Sequence, residues 1–292
     1  MGELAKPSVI VKILKERGIG LSRRYGQHFL IDGNILARIV ETADLQPDDT
    51  VFEVGAGAGT LTEELCARAG LVWAVEQDPR FFSLLQDHFR DTDNLILRQA
   101  DVLDLDLFTE LPSGGPLKMV SNLPYNVATA VLLKALRELP WLESLVVLVQ
   151  REMAQRYLAA PGNRGYGIPT LKLNYYCRIS KVMQVPPSVF LPPPKVDSTL
   201  LRLERRETGV ERAQDTESLF RLIDAAFSQR RKTLVNSLTP HFEAEGGKAL
   251  LSGVVGELGW DAGLRPEELT LEDFVTLHAR LPVRSRGWTE DV

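Results

Sequence analysis

The sequence predicts an α/β fold, a mainly parallel sheet covered by helices on both faces, followed by a smaller all-helical domain. Three observations carry this. From Thr50 onward, short apolar runs alternate with amphipathic stretches of helical length, as in parallel strands joined by crossover helices. Three glycines cluster between the first such run and the first helix. In the polar segment around 205–215 the strand-like runs stop, and only helical periodicity follows.

Taken in order, residues 1–30 read as a basic arm, and "DGNILARIVETAD" as a helix capped by Asp32. "TVFEVGAG" is a strand ending in glycine, and "GTLTEELCARAG" a helix closed by Gly70. "LVWAVEQD" is the second strand, followed by the helix "PRFFSLLQDHFR" with Pro79 at its start. "NLILRQAD" and "LKMVSNLP" are the third and fourth strands, and "NVATAVLLKALREL" a helix. "SLVVLVQ" is a fifth strand, "REMAQRYLAA" a helix, and a further helix-like run follows "PGNRGYGIP". "CRISKVMQV" and "STLLRLE" are late strands. Then "TESLFRLIDAAFSQRRKTLVNSL", "GKALLSGVVGELG" and "TLEDFVTLHARL" all read as amphipathic helices. The expected domains are 1–207 and 208–292.

A chain of 292 residues, 44% hydrophobic and 25% charged, has the composition of a folded protein with a sizeable core. Cys66 and Cys177 stand alone, without CxxC or His-ligand spacing, which argues for a reducing compartment and against a disulfide frame or a metal site. No signal-peptide core and no run of 18 apolar residues is present, so the expected location is cytoplasmic. The net charge of -5 hides an uneven distribution: +4 over residues 1–38, -11 over 39–150, +7 over 151–206 and -5 over 207–292. Local basic segments fit a phosphate backbone even on an acidic protein. On charge alone, ordinary solvated surface explains them equally well.

"FEVGAGAGTLT" places Gly55, Gly57 and Gly59 at a strand-to-helix turn, where the backbone approaches a ligand closely and helix N–H groups point at it. The spacing is G-x-G-x-G, preceded by Glu53, rather than the dinucleotide G-x-G-x-x-G. Glu76 ends the second strand, 21 residues beyond Gly55, placed to accept from ribose hydroxyls. Asp101 ends the third strand, able to accept from an adenine amino group. Together these favour an adenosine cofactor with a small cationic end over a pyrophosphate. S-adenosyl-L-methionine fits, and a nicotinamide enzyme remains the open alternative.

The fourth strand ends in "VSNLPYN", with no acid, base or nucleophile. A sulfonium methyl donor is already activated, so the protein mainly has to orient the acceptor. An adenine amine is a poor nucleophile, improved when acceptors hold its two N–H protons. Asn122 offers an amide oxygen and Leu123 a backbone carbonyl, whose direction Pro124 restricts. Tyr125 offers a ring for a flipped base, a stack worth about 1–3 kcal/mol. A plain turn with an Asn cap is the bland alternative.

"RRYGQHFL", "VFEVGAGAGTLT", "AVEQD", "QADVLDLD", "SNLPYN", "VPPSVFLPPPKVDSTLLRL" and "AFSQRRKTLVNSL" occur in this order. In them the chain resembles the rRNA adenine N6,N6-dimethyltransferase family, most closely the KsgA type acting on small-subunit RNA. The resemblance runs from about Arg23 to beyond Arg265. It implies a Rossmann-like class I S-adenosylmethionine methyltransferase sheet with a helical RNA-recognition domain. It also implies cofactor contacts from Gln27, His28, Leu30, Gly55, Gly57, Glu76, Asp101 and Asn122. His28 occupies a position often held by Asn in that family. Phe190, in "PPSVFLPPPK", becomes a second stacking wall opposite Tyr125. Arg23, Arg24, Lys195, Arg230, Arg231 and Lys232 become candidate contacts to the RNA backbone. The implied substrate is a pair of adjacent adenines in a hairpin near the 3′ end of 16S rRNA, within an immature 30S particle. The protein is expected to act as a monomer, without metal. Two rivals share the fold: a large-subunit adenine methyltransferase of the antibiotic-resistance type, and a non-catalytic RNA-binding assembly factor.

Overall fold

The computed structural model describes residues 2–19, 28–206, 215–229 and 231–282. The chain divides into two compact units, Met1–Ala154 with Arg178–Arg205, and Gln155–Cys177 with Arg206–Val292. The sequence places one boundary at 207/208; the second unit also takes in the segment 155–177.

The first unit contains strands β1 (Phe29–Leu30), β2 (Thr50–Val54), β3 (Leu71–Glu76), β4 (Leu95–Gln99), β5 (Leu117–Asn122) and β6 (Leu142–Gln150). It continues with β7 (Cys177–Val185, whose first residue falls in the second unit), β8 (Phe190–Leu191) and β9 (Ser198–Arg205). Seven of these form one sheet in the order β4-β3-β2-β5-β6-β9-β7, and β1 pairs with β8 separately. β2 runs parallel to β3 and β5, and β5 parallel to β6, whereas β9 is antiparallel to β6. Val51 and Phe52 are both fully buried, as are Met119 and Val120. Successive strand residues point to opposite faces, so both faces of the sheet are covered, which is why these strands read as unbroken apolar runs.

Local chemistry sets the helix starts. Asp32 Oδ1 accepts from the N–H groups of Asn34 and Ile35 at 2.9 and 3.1 Å, opening the helix Gly33–Ala43. Asp78 caps the helix Pro79–His88, whose first residue needs no N–H partner. From β2 to β3 to β4 the chain steps one way across the sheet, and from β5 to β6 the other. The order therefore reverses between β2 and β5, and ligands of such sheets bind beyond the carboxyl ends of the strands at that point.

Three expectations change. The N-terminal segment is no loose arm over its described part: Glu3–Ala5 and the helix Pro7–Glu16 fold onto the first unit, with Leu4, Ile10 and Leu14 in its core. The backbone N–H groups of Gly2 and Leu4 donate to the carboxylates of Glu64 and Glu63 at 2.7 and 2.9 Å. Interleaved lysines mask the apolar stripe in the sequence. Gly70 does not close the helix after β2, which ends at Cys66. Its requirement is close packing, because a Cβ there would lie 2.4 Å from the Pro47 carbonyl oxygen. Finally, the run 216–238 is two helices, Thr216–Ala226 and Leu234–Leu238, separated by a turn in which Arg231 has φ 68°. Thr233 begins the second, its hydroxyl accepting from the Asn236 N–H.

The second unit is helical. Its core gathers Leu171 and Tyr175 from Ile168–Tyr176, Leu222 and Ile223 from Thr216–Ala226, Leu251 from Gly247–Glu257, and Phe274 and Leu277 from Leu271–Arg280. Among the described residues, no helix is long and apolar enough to cross a membrane.

Candidate active site

A cavity of about 220 Å³ opens at the switch point in the first unit. Its floor is the turn after β2. Gly55, Gly57 and Gly59 all have positive φ, at 77°, 56° and 81°, and a Cβ on Gly57 would press 2.9 Å from the Phe29 ring. The N–H of Gly55 donates to the Val75 carbonyl at 2.8 Å, which ties the turn to β3.

Glu76 fastens the cradle. One carboxylate oxygen accepts from the Gly57 N–H and the other from the Asp78 N–H, both at 2.8 Å. Each oxygen keeps a second lone pair for a ligand hydroxyl. Burial is the main influence on its carboxyl, raising its pKa against the opposing pull of the backbone donors. Glu53, on the neighbouring strand, is buried with one hydroxyl donor, Thr62 Oγ1 at 2.7 Å. Burial pushes its pKa up to about 8, the Thr62 bond lowers it, and the Glu76 charge raises it further. At neutral pH Glu53 therefore holds its proton. Asp101 is exposed at the cavity rim, one oxygen accepting from the Leu103 N–H at 2.9 Å.

The opposite wall is the end of β5. Asn122 Nδ2 donates to the His28 backbone carbonyl at 2.9 Å. A carbonyl only accepts, so the amide orientation is assigned and Oδ1 is the acceptor that Asn122 offers to the cavity it lines. The Leu123 N–H is held by the Leu148 carbonyl at 3.2 Å, and its side chain is buried. Tyr125 donates to or accepts from Ser198 Oγ at 2.9 Å. Its ring stacks on His28, with centroids 5.5 Å apart and planes inclined by 26°. His28 Nδ1 lies 2.7 Å from the Pro192 carbonyl, so that nitrogen carries the hydrogen.

Of the residues singled out from the sequence, His28, Leu30, Gly55, Gly57, Glu76, Asp101, Asn122, Leu123, Pro124 and Tyr125 line this one cavity. Phe190 does not. It pairs opposite Leu30 in the β1–β8 ladder, is 2% exposed, and its side chain belongs to the core of the first unit. Lys195, Arg231 and Lys232 are exposed. Gln27, Arg23, Arg24 and Arg230 lie outside the described residues. The sequence reading missed Thr62, Ser121 and Ser198. The paired register of β2 and β5 runs from Thr50 and Leu117 to Phe52 and Met119, and two residues on the Val54 N–H is taken by Ser121 Oγ at 2.9 Å. For Ser121 the local signal is a serine inside an apolar run. Among the described residues, no cluster of His, Cys, Asp or Glu could hold a metal ion.

The family described as Ribosomal RNA adenine dimethylase matches residues 20–258. Proteins named Ribosomal RNA small subunit methyltransferase A are similar along nearly their whole length. The one from Moorella thermoacetica is 38% identical over 96% of this chain and 99% of its own. That from Geobacillus kaustophilus is 38% identical over 94% and 96%. Among solved structures, a dimethyladenosine transferase from Plasmodium falciparum superimposes with a TM-score of 0.72 at 26% identity, covering 86% of this chain and 96% of that one. The 23S rRNA methyltransferase ErmE gives 0.64 at 28% identity, covering 87% and 99%.

Proposed function

The chain belongs to the ribosomal RNA adenine dimethylase family, and from that premise we propose that it dimethylates the exocyclic N6 of two adjacent adenines. The RNA is a hairpin near the 3′ end of 16S rRNA, met as a monomer on an immature 30S particle in the cytoplasm. S-adenosyl-L-methionine, when bound, supplies an activated methyl group on sulfur.

The residues present fit that donor. Gly55 and Gly57 supply the positive φ that shapes the turn, Glu76 retains acceptor capacity for ribose hydroxyls, and Asp101 stands at the rim for the adenine amine. His28 and Leu30 close the side wall.

The observation that carries the reading is the Asn122 amide. Its nitrogen is committed to the His28 carbonyl, so its oxygen is directed to hold a donor. Asn122 Oδ1 and the Leu123 carbonyl accept the two N–H protons of the adenine amine and draw the nitrogen lone pair out of conjugation. Pro124 fixes the angle of the Leu123 carbonyl, and Tyr125 holds the base by its π-face. A cationic alkylated amine is acidic enough to release its proton to water, so no strong base is required at this wall. Lys195, Arg231 and Lys232, all exposed, together with Arg23, Arg24 and Arg230, supply positive charge for the phosphates.

The test maps labelled methyl groups after incubation with immature small subunits and, separately, with protein-free large-subunit RNA. Two methyl groups on each of two adjacent small-subunit adenines is the expected result. Labelling of a large-subunit adenine instead would reassign the substrate. RNA binding without transfer or cofactor binding would make the chain an assembly factor.

A further inference from the structure

The phenol of Tyr125 and the hydroxyl of Ser198 meet at 2.9 Å across 73 residues of sequence. Ser198 is fully buried. Strand register explains its place. Asn122 stands opposite Leu148 in the β5–β6 pair, and Gln150, two residues further along β6, stands opposite Ser198 in β9. Ser198 therefore begins its strand at the same sheet edge on which the amine clamp ends.

Tyr125 itself lies beyond β5, in a turn, and a ring carried on a turn has two soft side-chain torsions. Stacking requires that its plane be set before the base arrives. A hydrogen bond to the phenol oxygen acts at the atom furthest from the backbone, where it restrains both torsions. The phenolic hydrogen prefers the ring plane, so the bond also restrains rotation about the ring axis. Burial raises the phenol pKa above its ordinary value, against the lowering effect of the Ser198 bond. The anchor is a sheet strand rather than another loop, so the rigidity of β9 passes to the ring.

We propose that Ser198 is a positioning residue for methyl transfer, acting through the Tyr125 hydroxyl to fix the plane of the ring on which the target base stacks. This rests on the reading of Tyr125 as the stacking platform.

The experiment is single-turnover methyl transfer to immature small subunits by Ser198→Ala, Tyr125→Phe and the double variant, with cofactor affinity measured by calorimetry. Each single variant is expected to slow transfer about tenfold at unchanged cofactor affinity. The double variant should be no slower than the slower single one, because both remove the same bond. Multiplying effects, a wild-type rate in either single variant, or a loss matched by weaker cofactor binding would overturn the proposal. If Ser198→Ala fails to fold, Tyr125→Phe decides alone: the same loss supports the proposal and a wild-type rate overturns it. Tyr125→Ala separates the two levels. Wild-type transfer by that variant would sink the platform reading itself. A large loss there, beside an unaffected Tyr125→Phe, would sink only the role of Ser198.

Discussion

A methyl group on Gly55 would lie 3.4 Å from Cδ of Pro124, in van der Waals contact, so the glycine turn after β2 and the segment that follows β5 already lie against each other. Gly55 also has φ 77°, where an L-residue is strained by about 1–2 kcal/mol. Gly55→Ala is therefore expected to fold, with the turn displaced and the cofactor affinity lowered about tenfold or more. Calorimetric titration with S-adenosylmethionine checks this; unaltered affinity would mean that the turn is not the donor site.

Asn122→Ala should separate chemistry from binding. Losing one positioned polar contact to the reacting group typically costs about 100-fold in rate, while RNA affinity should stay within a few-fold. Methyl incorporation and RNA binding measured on the same preparation decide it. If both fall in proportion, Asn122 is a structural turn residue.

Glu53 makes stability depend on pH. Its carboxyl is raised from 4.5 to about 8 in the folded protein, so between those values the native state binds a proton that the unfolded chain has released. Stability therefore falls as pH rises through this window, on the order of 1 kcal/mol per pH unit for this group, and levels off above it. Glu53→Gln keeps the shape and removes the titration. The denaturant midpoint of the wild type should fall relative to that of Glu53→Gln between pH 5 and 8, and a constant difference between the two proteins over that range would show that the carboxyl is not raised.

Phe190 offers a choice between packing and recognition. Its burial predicts that Phe190→Ala loses about 3–5 kcal/mol of stability, the usual result of emptying an aromatic site in a core. Thermal and denaturant unfolding measure this. A normally stable variant that has lost only methyl transfer would return Phe190 to the stacking wall that its motif suggests.

The central parallel strands β2, β3, β5 and β6 were legible because each is a short apolar run, as burial on both faces demands, whereas the two-residue β1 and β8 carry no such run and were not. The cradle was legible for a similar reason. Glycine at positive φ has few substitutes, so Gly55, Gly57 and Gly59 announce themselves. Less was legible at the N-terminus, where lysines interrupt the apolar stripe of Pro7–Glu16, and in 216–238, where helical periodicity continues across a break. Periodicity reports the face of a residue and not whether the chain turns between two helices.

By itself, the sequence picked out the local patterns that meet at one cavity: a glycine turn, carboxylates at strand ends and the Asn-Leu-Pro-Tyr segment, all contiguous patterns whose residue types are dictated locally. Tertiary structure alone decided how they are held. The carbonyl that orients Asn122 comes from His28, the hydroxyl that steadies Tyr125 from Ser198, and the oxygen that closes the β2–β5 gap from Ser121. Those contacts join residues 67 to 94 positions apart. A hydrogen bond is specified by distance and direction in space, and a one-dimensional pattern carries neither until the strands have found their register.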